Sequence, residues 1–302
     1  MAKSKKVNIK FGIIGISNGN GHPYSWSAIF NGFNKSELDK TEYLNISNYL
    51  SLHNFPKDQI QEGKVTHVWT QDKNLSKQIA NSCYIENICD DPDEMINKVD
   101  AILLARDDSE NHYEFAENFI SQGLPIFIDK PLSTNFIDAS RLLAIQKYES
   151  QIFTCSSLRY ANELQFSKEE LDNIGKIKEI NAFSPKSWEK YSIHLIEPIS
   201  IIPNIDIFDY LTYKVKRNGD SVKLALNLKN GVKVNINTLG DVNSEIFIKI
   251  TGEKGEITKY FKNSFNSFKN SLLIFMEQCK TKINIIPRTD TLNIIKLIEL
   301  GI

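Results

Sequence analysis

The hydrophobic residues follow different patterns in the two halves of the chain. Up to residue 156, short continuous apolar runs alternate with segments in which apolar side chains recur every three or four positions. In the clearest example, an apolar run at 101–105 is separated from a second run at 125–128 by a helical stripe within 111–121. Continuous runs are typical of strands buried on both faces, and the wider spacing is typical of amphipathic helices. The first half therefore predicts an α/β domain with a doubly wound parallel sheet of the Rossmann type.

From residue 157 onward, apolar and polar residues alternate, as in strands with one buried face. The pair Asn230-Gly231 separates two such segments and is a strong hairpin signal. We predict strands at 177–183, 208–216, 222–228, 232–239, 246–251 and 256–261, with helices at 162–174, 265–280 and 289–300. The second half is thus expected to be an α+β domain with a mostly antiparallel open sheet.

The change of pattern predicts two domains, 1–156 and 157–302. A polar segment at about 34–63 is interpreted as an insertion in the first domain, between the first helix and the second strand. The strands predicted there are 7–15, 65–70, 85–88, 101–105, 125–128 and 152–156, and the helices are 23–33, 75–83, 92–98, 111–121 and 133–148.

The composition narrows the range of partners. A formal net charge of -1 gives no electrostatic reason to expect nucleic acid or an anionic membrane. The basic start, Met1 to Lys6, lacks the pattern of a signal peptide, and no apolar stretch is long enough to span a bilayer. The four cysteines are scattered, without the spacing of metal ligands. We expect a cytoplasmic protein with reduced thiols and no bound metal.

A glycine-rich turn follows the first predicted strand. Backbone amides in such a turn, next to a helix N-terminus, favour phosphate. The dinucleotide fingerprint G-x-G-x-x-G, started at Gly15, has Ser17 and Asn20 where the second and third glycines belong. The turn therefore either binds a nucleotide or is a tight turn that binds nothing. The candidate cofactor-binding residues here are Gly15, Ser17, Asn18 and Gly19.

The end of the second strand bears on the choice between NAD and NADP. Thr70 stands where an acidic residue would bind a ribose 2′-hydroxyl, so a 2′-phosphate is also allowed, with Lys73 as a partner. Asp72 can equally be the N-cap of the next helix. Near the glycine turn, His22 is interpreted as a surface cap rather than a ligand, with contact to a phosphate as the alternative. Trp26 and Trp69 are expected close to the nucleotide.

Lys130 is the strongest candidate for chemistry. It follows a buried strand, at the carboxyl end where open parallel sheets bind ligands, and Pro131 stiffens the turn after it. A reactive or substrate-holding ammonium is expected at such a place. The alternative is a solvated lysine.

Several of these segments together resemble a known family. They are the strand ending at Gly15, the segment 101–112, Asp129-Lys130-Pro131, Arg159-Tyr160 and the segment 188–197. The chain resembles the glucose–fructose oxidoreductase and inositol dehydrogenase family, Gfo/Idh/MocA. The resemblance implies hydride transfer between NAD or NADP and a sugar, cyclitol or related substrate. It also implies a homodimer or homotetramer formed through the open sheet of the second domain.

The resemblance also suggests roles for individual residues. Lys130 matches a lysine that contacts nicotinamide and substrate, and His194 with Glu197 matches a His-x-x-Asp motif. His194 would be the acid/base, since an imidazole exchanges protons near neutral pH. The implied catalytic residues are Lys130, His194, Tyr191 and Lys190. The implied cofactor residues are Gly15, Ser17, Asn18, Gly19, Thr70, Arg106, His112, Asp129 and Lys130. The implied substrate residues are Arg159, Trp188 and Glu197.

Two departures from the family pattern leave alternatives open. Lys190 stands where an aspartate often precedes the histidine, and Arg106-Asp107-Asp108 replaces a Thr-Pro-Asn type of turn. A second cation would suit an acidic substrate, such as a carboxylated or phosphorylated sugar. The departures are also compatible with a non-catalytic nucleotide- or sugar-binding protein, or with a non-redox enzyme that retains its cofactor.

Overall fold

The computed structural model describes residues 8–302, which form two compact units. Val7, predicted to open the first strand, and the basic segment before it lie outside the described residues. The first unit contains residues up to Leu132 together with Arg141–Thr154 and Phe268–Pro287. The second unit contains Ser133–Ser140, Cys155–Ser267 and Arg288–Ile302.

The first unit is built on a six-stranded sheet in which every pairing is parallel. Its strands are β1 (Ile9–Ile14), β2 (Gly63–Trp69), β3 (Asn87–Ile88), β4 (Ala101–Leu104), β5 (Ile126–Ile128) and β6 (Ile152–Phe153). Their order across the sheet is β3-β2-β1-β4-β5-β6. The predicted doubly wound sheet is confirmed. Its strand order reverses between β1 and β4, and ligands bind such sheets beyond the carboxyl ends at this point.

Helices connect these strands. They are α1 (His22–Asn31), α2 (Lys35–Leu38), α3 (Leu44–Leu50), α4 (Lys73–Cys83), α5 (His112–Ser121) and α6 (Phe136–Ala144). Helices α2 and α3 lie in the segment interpreted as an insertion. The helix predicted at 92–98 is a single 3-10 turn, Pro92–Met95, because Asn97 turns the backbone to a φ of 64°. Helix α6 begins later than predicted because the Asn135 side chain accepts hydrogen bonds from the first amides of the helix.

The second unit contains a sheet in which only β7 and β10 pair in parallel. Its strands are β7 (Ile177–Ser184), β8 (Tyr210–Asn218), β9 (Ser221–Leu228), β10 (Lys233–Thr238), β11 (Phe247–Gly252) and β12 (Glu256–Tyr260), in the order β12-β11-β7-β10-β9-β8. The mostly antiparallel sheet is confirmed, and so is the turn at Asn230-Gly231, where Gly231 has a φ of 88°.

The remaining helices are α7 (Lys168–Ile174), α8 (Trp188–Tyr191), α9 (Ile193–Ser200), α10 (Ser264–Thr281) and α11 (Arg288–Leu300). The helix predicted at 162–174 is divided into a 3-10 turn, Asn162–Leu164, and α7. The physical reason is a capping box, in which Ser167 and Glu170 bond each other's backbone amides and fix the start of α7.

An aromatic cluster forms part of the core of the first unit. Phe275 of α10 is fully buried, and its ring centroid lies 5.6 Å from that of Phe127 and 5.8 Å from that of Phe153. The ring of Phe11 on β1 lies 6.1 Å from Phe275. A helix from near the end of the chain therefore packs against the strands formed by its beginning.

The helices and the cysteines bear on two of the expectations drawn from composition. Among residues 8–302, no helix has the length and apolar character needed to cross a bilayer. All four cysteines are free thiols, and the three at Cys83, Cys89 and Cys155 are buried.

Candidate functional site

The turn after β1 has the backbone of an anion-binding loop. Gly15 has no room for a side chain, because a Cβ atom there would lie 2.4 Å from Cγ of Pro23 at the start of α1. Gly19 has a φ of 75°, which favours glycine. The amides of Asn18 and Gly19 donate to no acceptor within the described part of the chain. Unpaired amides in a turn that leads into a helix N-terminus suit phosphate oxygens, so this turn fits a dinucleotide.

Ser17, in the place of the second fingerprint glycine, is bound to the loop after β4. Its hydroxyl donates to Oδ1 of Asp107 over 2.7 Å, and the Asp107 amide donates back to the Ser17 oxygen over 3.0 Å. The other carboxylate oxygen of Asp107 lies 3.8 Å from Nζ of Lys130, and both side chains are largely buried. Lys130 thus lies at the same edge of the sheet as the glycine turn, with Asp107 between them.

Asp129 is a buried carboxylate with three donors. It accepts from the Asn20 side chain over 2.9 Å, from Nδ1 of His22 over 2.5 Å and from the Lys130 amide over 2.8 Å. Burial alone would raise its pKa. The charges of His22 and Lys130, with the hydrogen bonds from His22 and Asn20, outweigh burial and hold the pKa of Asp129 well below its usual range. Asp129 is therefore ionised at neutral pH.

His22 is the residue at this site whose position the sequence did not indicate. The interpretation of His22 as a surface cap is wrong, because α1 has no side-chain cap and the imidazole is only 19% exposed. Its ring stacks on Trp26 with centroids 5.4 Å apart, and meets Phe268 edge-on at 4.9 Å. The available signal was topological, because His22 follows β1, Asp129 follows β5, and parallel strands end at one edge of the sheet.

Arg106 stabilises the loop after β4. Its guanidinium binds both carboxylate oxygens of Asp108, at 3.0 and 2.5 Å, and lies 4.5 Å above the Phe115 ring. The third nitrogen donates to the Ile16 carbonyl over 3.2 Å and to the Gln71 side chain over 3.0 Å. Arg106 therefore links the loop after β4 to the turn after β1, which brings the predicted cofactor residues of both together.

The buried imidazole of His112 connects two loops of the site. It is completely buried, with Nε2 2.8 Å from the Arg106 carbonyl and Nδ1 3.0 Å from the Leu132 carbonyl. The ring thus joins the loop after β4 to the segment that follows Lys130. These contacts support a positioning role, and direct contact between His112 and a cofactor stays a prediction.

The end of β2 is occupied by local hydrogen bonds. The Thr70 hydroxyl donates to the Asp72 carbonyl over 2.6 Å and lies 2.9 Å from the Ser76 hydroxyl. Asp72 caps α4, as the alternative interpretation expected, by accepting from the Asn74 amide. Lys73 forms an exposed ion pair with Asp90.

The second unit contains a separate polar cluster. A guanidinium nitrogen of Arg159 donates to Glu197 over 3.3 Å, and the Ser156 amide donates to the other Glu197 oxygen over 3.2 Å. The Ser156 hydroxyl lies 2.7 Å from Nδ1 of His194. The structure thus brings Arg159, Glu197 and His194 together, with Ser156 connecting the histidine to the acid.

The other predicted residues of the second unit lie on or beside α8. Tyr191 meets the ring of His194 edge-on, with centroids 5.1 Å apart. Trp188 is buried and its indole N–H donates to the Ile298 carbonyl over 2.7 Å. Lys190 is exposed. Their suggested roles in catalysis and substrate binding stay predictions.

The buried acid predicts a pH-dependent stability. Burial raises the pKa of Glu197 to about 7 from 4.5, although the positive charge of Arg159 opposes the rise. Arg159 remains charged at any ordinary pH, because the nearby Glu197 raises its pKa despite burial. At Glu197 burial is the larger effect, so the pKa of the acid rises although it is paired with Arg159. Folded Glu197 therefore holds its proton more tightly than Glu197 in the unfolded chain. The stability that this proton adds is fully present below about pH 4.5 and is lost as the pH rises through about 7.

We therefore expect the wild type to lose about 1–3 kcal/mol of unfolding free energy across that window relative to Glu197→Gln. Urea unfolding at several pH values measures this difference. Glu169→Gln, which changes an exposed acid of α7, is the matched control. Parallel pH profiles for the wild type and Glu197→Gln would contradict the prediction.

The first part of the chain is similar to a known family of proteins. Residues 9–156 match the model of an oxidoreductase family with an NAD-binding Rossmann fold, the Gfo/Idh/MocA family. A search of curated proteins finds no match.

Solved structures share the fold over nearly the whole chain at low sequence identity. A probable dehydrogenase from Thermotoga maritima has a TM-score of 0.72 and 16% identity, over 96% of this chain and 94% of the other. A myo-inositol 2-dehydrogenase from Lactobacillus plantarum has a TM-score of 0.68 and 15% identity, over 96% and 95%. A biliverdin reductase from Synechocystis sp. PCC 6803, in complex with biliverdin and NADP+, has a TM-score of 0.69 and 11% identity, over 97% and 98%.

The family match covers the glycine turn, both loops at the sheet edge and the Asp129-Lys130-Pro131 motif. The expectation of a nicotinamide dinucleotide is confirmed at the level of the family, whose Rossmann fold binds NAD. Residues 9–156 thus match the NAD-binding Rossmann domain of the Gfo/Idh/MocA family of oxidoreductases, the family that the sequence motifs resemble.

Proposed function

We propose that this protein is an NAD- or NADP-dependent oxidoreductase that acts on a hydroxyl or keto group of a sugar, a cyclitol or a related small molecule. The observation that carries the proposal is the largely buried ammonium of Lys130, at the carboxyl end of β5 and beside a turn with unpaired amides. The myo-inositol 2-dehydrogenase among the similar structures supports the substrate class.

Different residues of the first unit would bind the dinucleotide and stabilise the reacting oxygen. The Asn18 and Gly19 amides would hold the dinucleotide phosphates, with Gly15 keeping the turn close to α1. The bound dinucleotide supplies the acceptor or donor of a hydride. Lys130 would stabilise negative charge on the reacting oxygen, because an ammonium with little access to water interacts strongly with a developing anion.

One feature favours a second candidate function. Asp107 brings a carboxylate to the glycine turn through Ser17, and this negative charge opposes the binding of a pyrophosphate. The second candidate is a binding protein of the same fold that retains a nucleotide or sugar but no turnover. The exposed Lys190, in the place of a family aspartate, is compatible with either candidate and with an acidic substrate.

A titration with NADH and NADPH tests the proposal directly. We expect Asp107→Asn to bind the preferred dinucleotide about 3- to 10-fold more tightly than the wild type, because a repulsive charge is removed. Protein fluorescence provides the signal, since Trp26 and Trp69 belong to the first unit. Asp93→Asn, an exposed acid on the 3-10 turn, makes the same charge change as a control.

The two candidates give different results in the same preparation. Binding followed by a change of nicotinamide absorbance with sugars, cyclitols or uronic acids supports the oxidoreductase. Binding without turnover of any of these supports the second candidate, and binding of neither dinucleotide contradicts both nucleotide-dependent functions. The homodimer or homotetramer suggested by the family resemblance stays a prediction, which light scattering of the purified protein would decide.

A further inference from the structure

The inserted segment between α1 and β2 returns to the start of α1. The hydroxyl of Tyr49, on α3, donates to the Ser25 hydroxyl over 2.6 Å. The ring of Tyr43, which directly precedes α3, lies 5.3 Å from the ring of Tyr24. Tyr24 and Ser25 stand near the N-terminus of α1. The insertion is therefore attached to the end of α1 that adjoins the glycine turn.

Gly21 allows the insertion to touch the backbone at the end of this turn. A Cβ atom on Gly21 would lie 2.3 Å from Cδ1 of Ile46 and 2.6 Å from Cδ1 of Tyr43. The φ of Gly21 is -86°, which other residues also adopt, so lack of space is what favours glycine here. Tyr43 thus contacts the chain just after the unpaired amides of Asn18 and Gly19.

The Tyr43 hydroxyl is a protonated donor that a ligand can reach. Burial raises the pKa of the phenol, and the negative charges of Glu42 and Asp107 add to the rise, so the proton stays in place at neutral pH. Tyr43 is half-buried, and Glu42, which forms a hydrogen bond with the phenol, is exposed. The hydroxyl therefore lies at the surface and can exchange Glu42 for another acceptor.

The charge at the turn gives such a donor a use. The Ser17 hydroxyl, in the place of a fingerprint glycine, donates to Asp107 over 2.7 Å. The carboxylate of Asp107 therefore lies beside the turn, and its charge also acts on Tyr43. A diphosphate at this turn meets more repulsion than it would without the acid. A neutral phenol adds a hydrogen bond to the phosphate that offsets part of this repulsion.

We propose that the hydroxyl of Tyr43 binds a phosphate oxygen of the dinucleotide, which makes the insertion part of the cofactor site. The proposal rests on the dinucleotide-dependent function proposed above. When the dinucleotide binds, the phenol donates to the phosphate instead of Glu42, and the Asn18 and Gly19 amides hold the same diphosphate from the turn. Tyr43 is a binding residue and takes no part in hydride transfer.

Removal of the hydroxyl alone tests this contact. In Tyr43→Phe the ring still packs against Gly21 and Tyr24, so the fold is retained. Fluorescence titration of the full-length protein measures the dissociation constant for NADH and NADPH. We expect the constant for the preferred dinucleotide to rise about 10-fold, because a hydrogen bond to a charged group is lost.

Tyr49→Phe is the matched control on the same insertion. It removes the hydroxyl that bonds Ser25 on α1, and it should change the dissociation constant less than about twofold. An unchanged dissociation constant in Tyr43→Phe would overturn the proposal. So would an equal loss of affinity in Tyr43→Phe and Tyr49→Phe, because the effect would then come from the packing of the insertion.

ADP identifies the part of the dinucleotide that the hydroxyl contacts. It contains the diphosphate and the adenosine but no nicotinamide, and calorimetry measures its binding. We expect Tyr43→Phe to weaken the binding of ADP by about the same factor as that of NADH or NADPH. A loss of affinity confined to the dinucleotides would place the contact at the nicotinamide half and overturn the assignment to the phosphates.

Inorganic pyrophosphate separates failure of this proposal from failure of the proposed function. If the wild type binds neither NADH nor NADPH, the oxidoreductase function is contradicted, and calorimetry with pyrophosphate still tests Tyr43. Binding of pyrophosphate that is about 10-fold weaker in Tyr43→Phe would support the contact. Pyrophosphate that binds both proteins equally, or neither, would overturn it. A wild type that turns over a substrate, with the same dinucleotide affinity in Tyr43→Phe, would overturn the proposal alone.

Discussion

Replacement of Lys130 by methionine is expected to lower kcat for hydride transfer about 10²- to 10³-fold, a cost of roughly 3–4 kcal/mol in transition-state stabilisation. Methionine keeps much of the length of the side chain and removes only its charge. The loss leaves the carboxylate of Asp107, 3.8 Å from the ammonium in the wild type, without this counter-charge, so negative charge on the reacting oxygen becomes more costly.

Single-turnover measurement of nicotinamide absorbance provides the test, with a substrate identified by screening. Lys77→Met, which removes an exposed charge on α4 of the same unit, should leave the rate within about twofold because surface charges have small effects. Unchanged turnover in Lys130→Met would show that the role given to Lys130 is wrong. If Lys130→Met loses dinucleotide binding as well as turnover, Lys130 acts in cofactor binding rather than in the chemical step.

Replacement of Phe275 by alanine is expected to cost about 3–5 kcal/mol of unfolding free energy, the largest effect on stability predicted for this chain. The side chain is fully buried, and it packs against Phe127 and Phe153 as well as Phe11. Removing the ring leaves a cavity that the surrounding rings can fill only in part.

Urea unfolding measures this cost, and the same helix provides a control. Leu273 lies two residues earlier on α10 and is 39% exposed, so Leu273→Ala should cost less than about 1 kcal/mol. If Phe275→Ala and Leu273→Ala have the same unfolding free energy, α10 does not cover the core of the first unit as described.

The sequence predicted the strands better than the ends of the helices. Buried strands such as β4 and β5 consist of continuous apolar residues, and this local pattern survives in any tertiary context. Helix ends depend on individual side chains. Asn135 delays the start of α6 and Ser167 defines the start of α7, and the hydrophobic spacing contains neither effect.

The candidate site was predicted in its parts but not in its pairings. The position of Lys130 followed from a strand end and a proline, both of which are local features. The bond between His22 and Asp129 joins residues 107 positions apart, and the bond between Arg159 and Glu197 joins residues 38 apart. Contacts of this kind depend on which strands become neighbours, so hydrophobic periodicity cannot supply them.

The return of α10 to the first unit has a consequence for how the protein is made. The ribosome synthesises the chain from its N-terminus. Strands β1 and β5 therefore emerge long before Phe275 can cover the aromatic rings of Phe11 and Phe127. The first unit therefore completes its core only after α10 has been synthesised, more than a hundred residues after β5. Until then its apolar surface is available to chaperones, and a gene fragment that ends at residue 156 encodes a sheet without one of its covering helices.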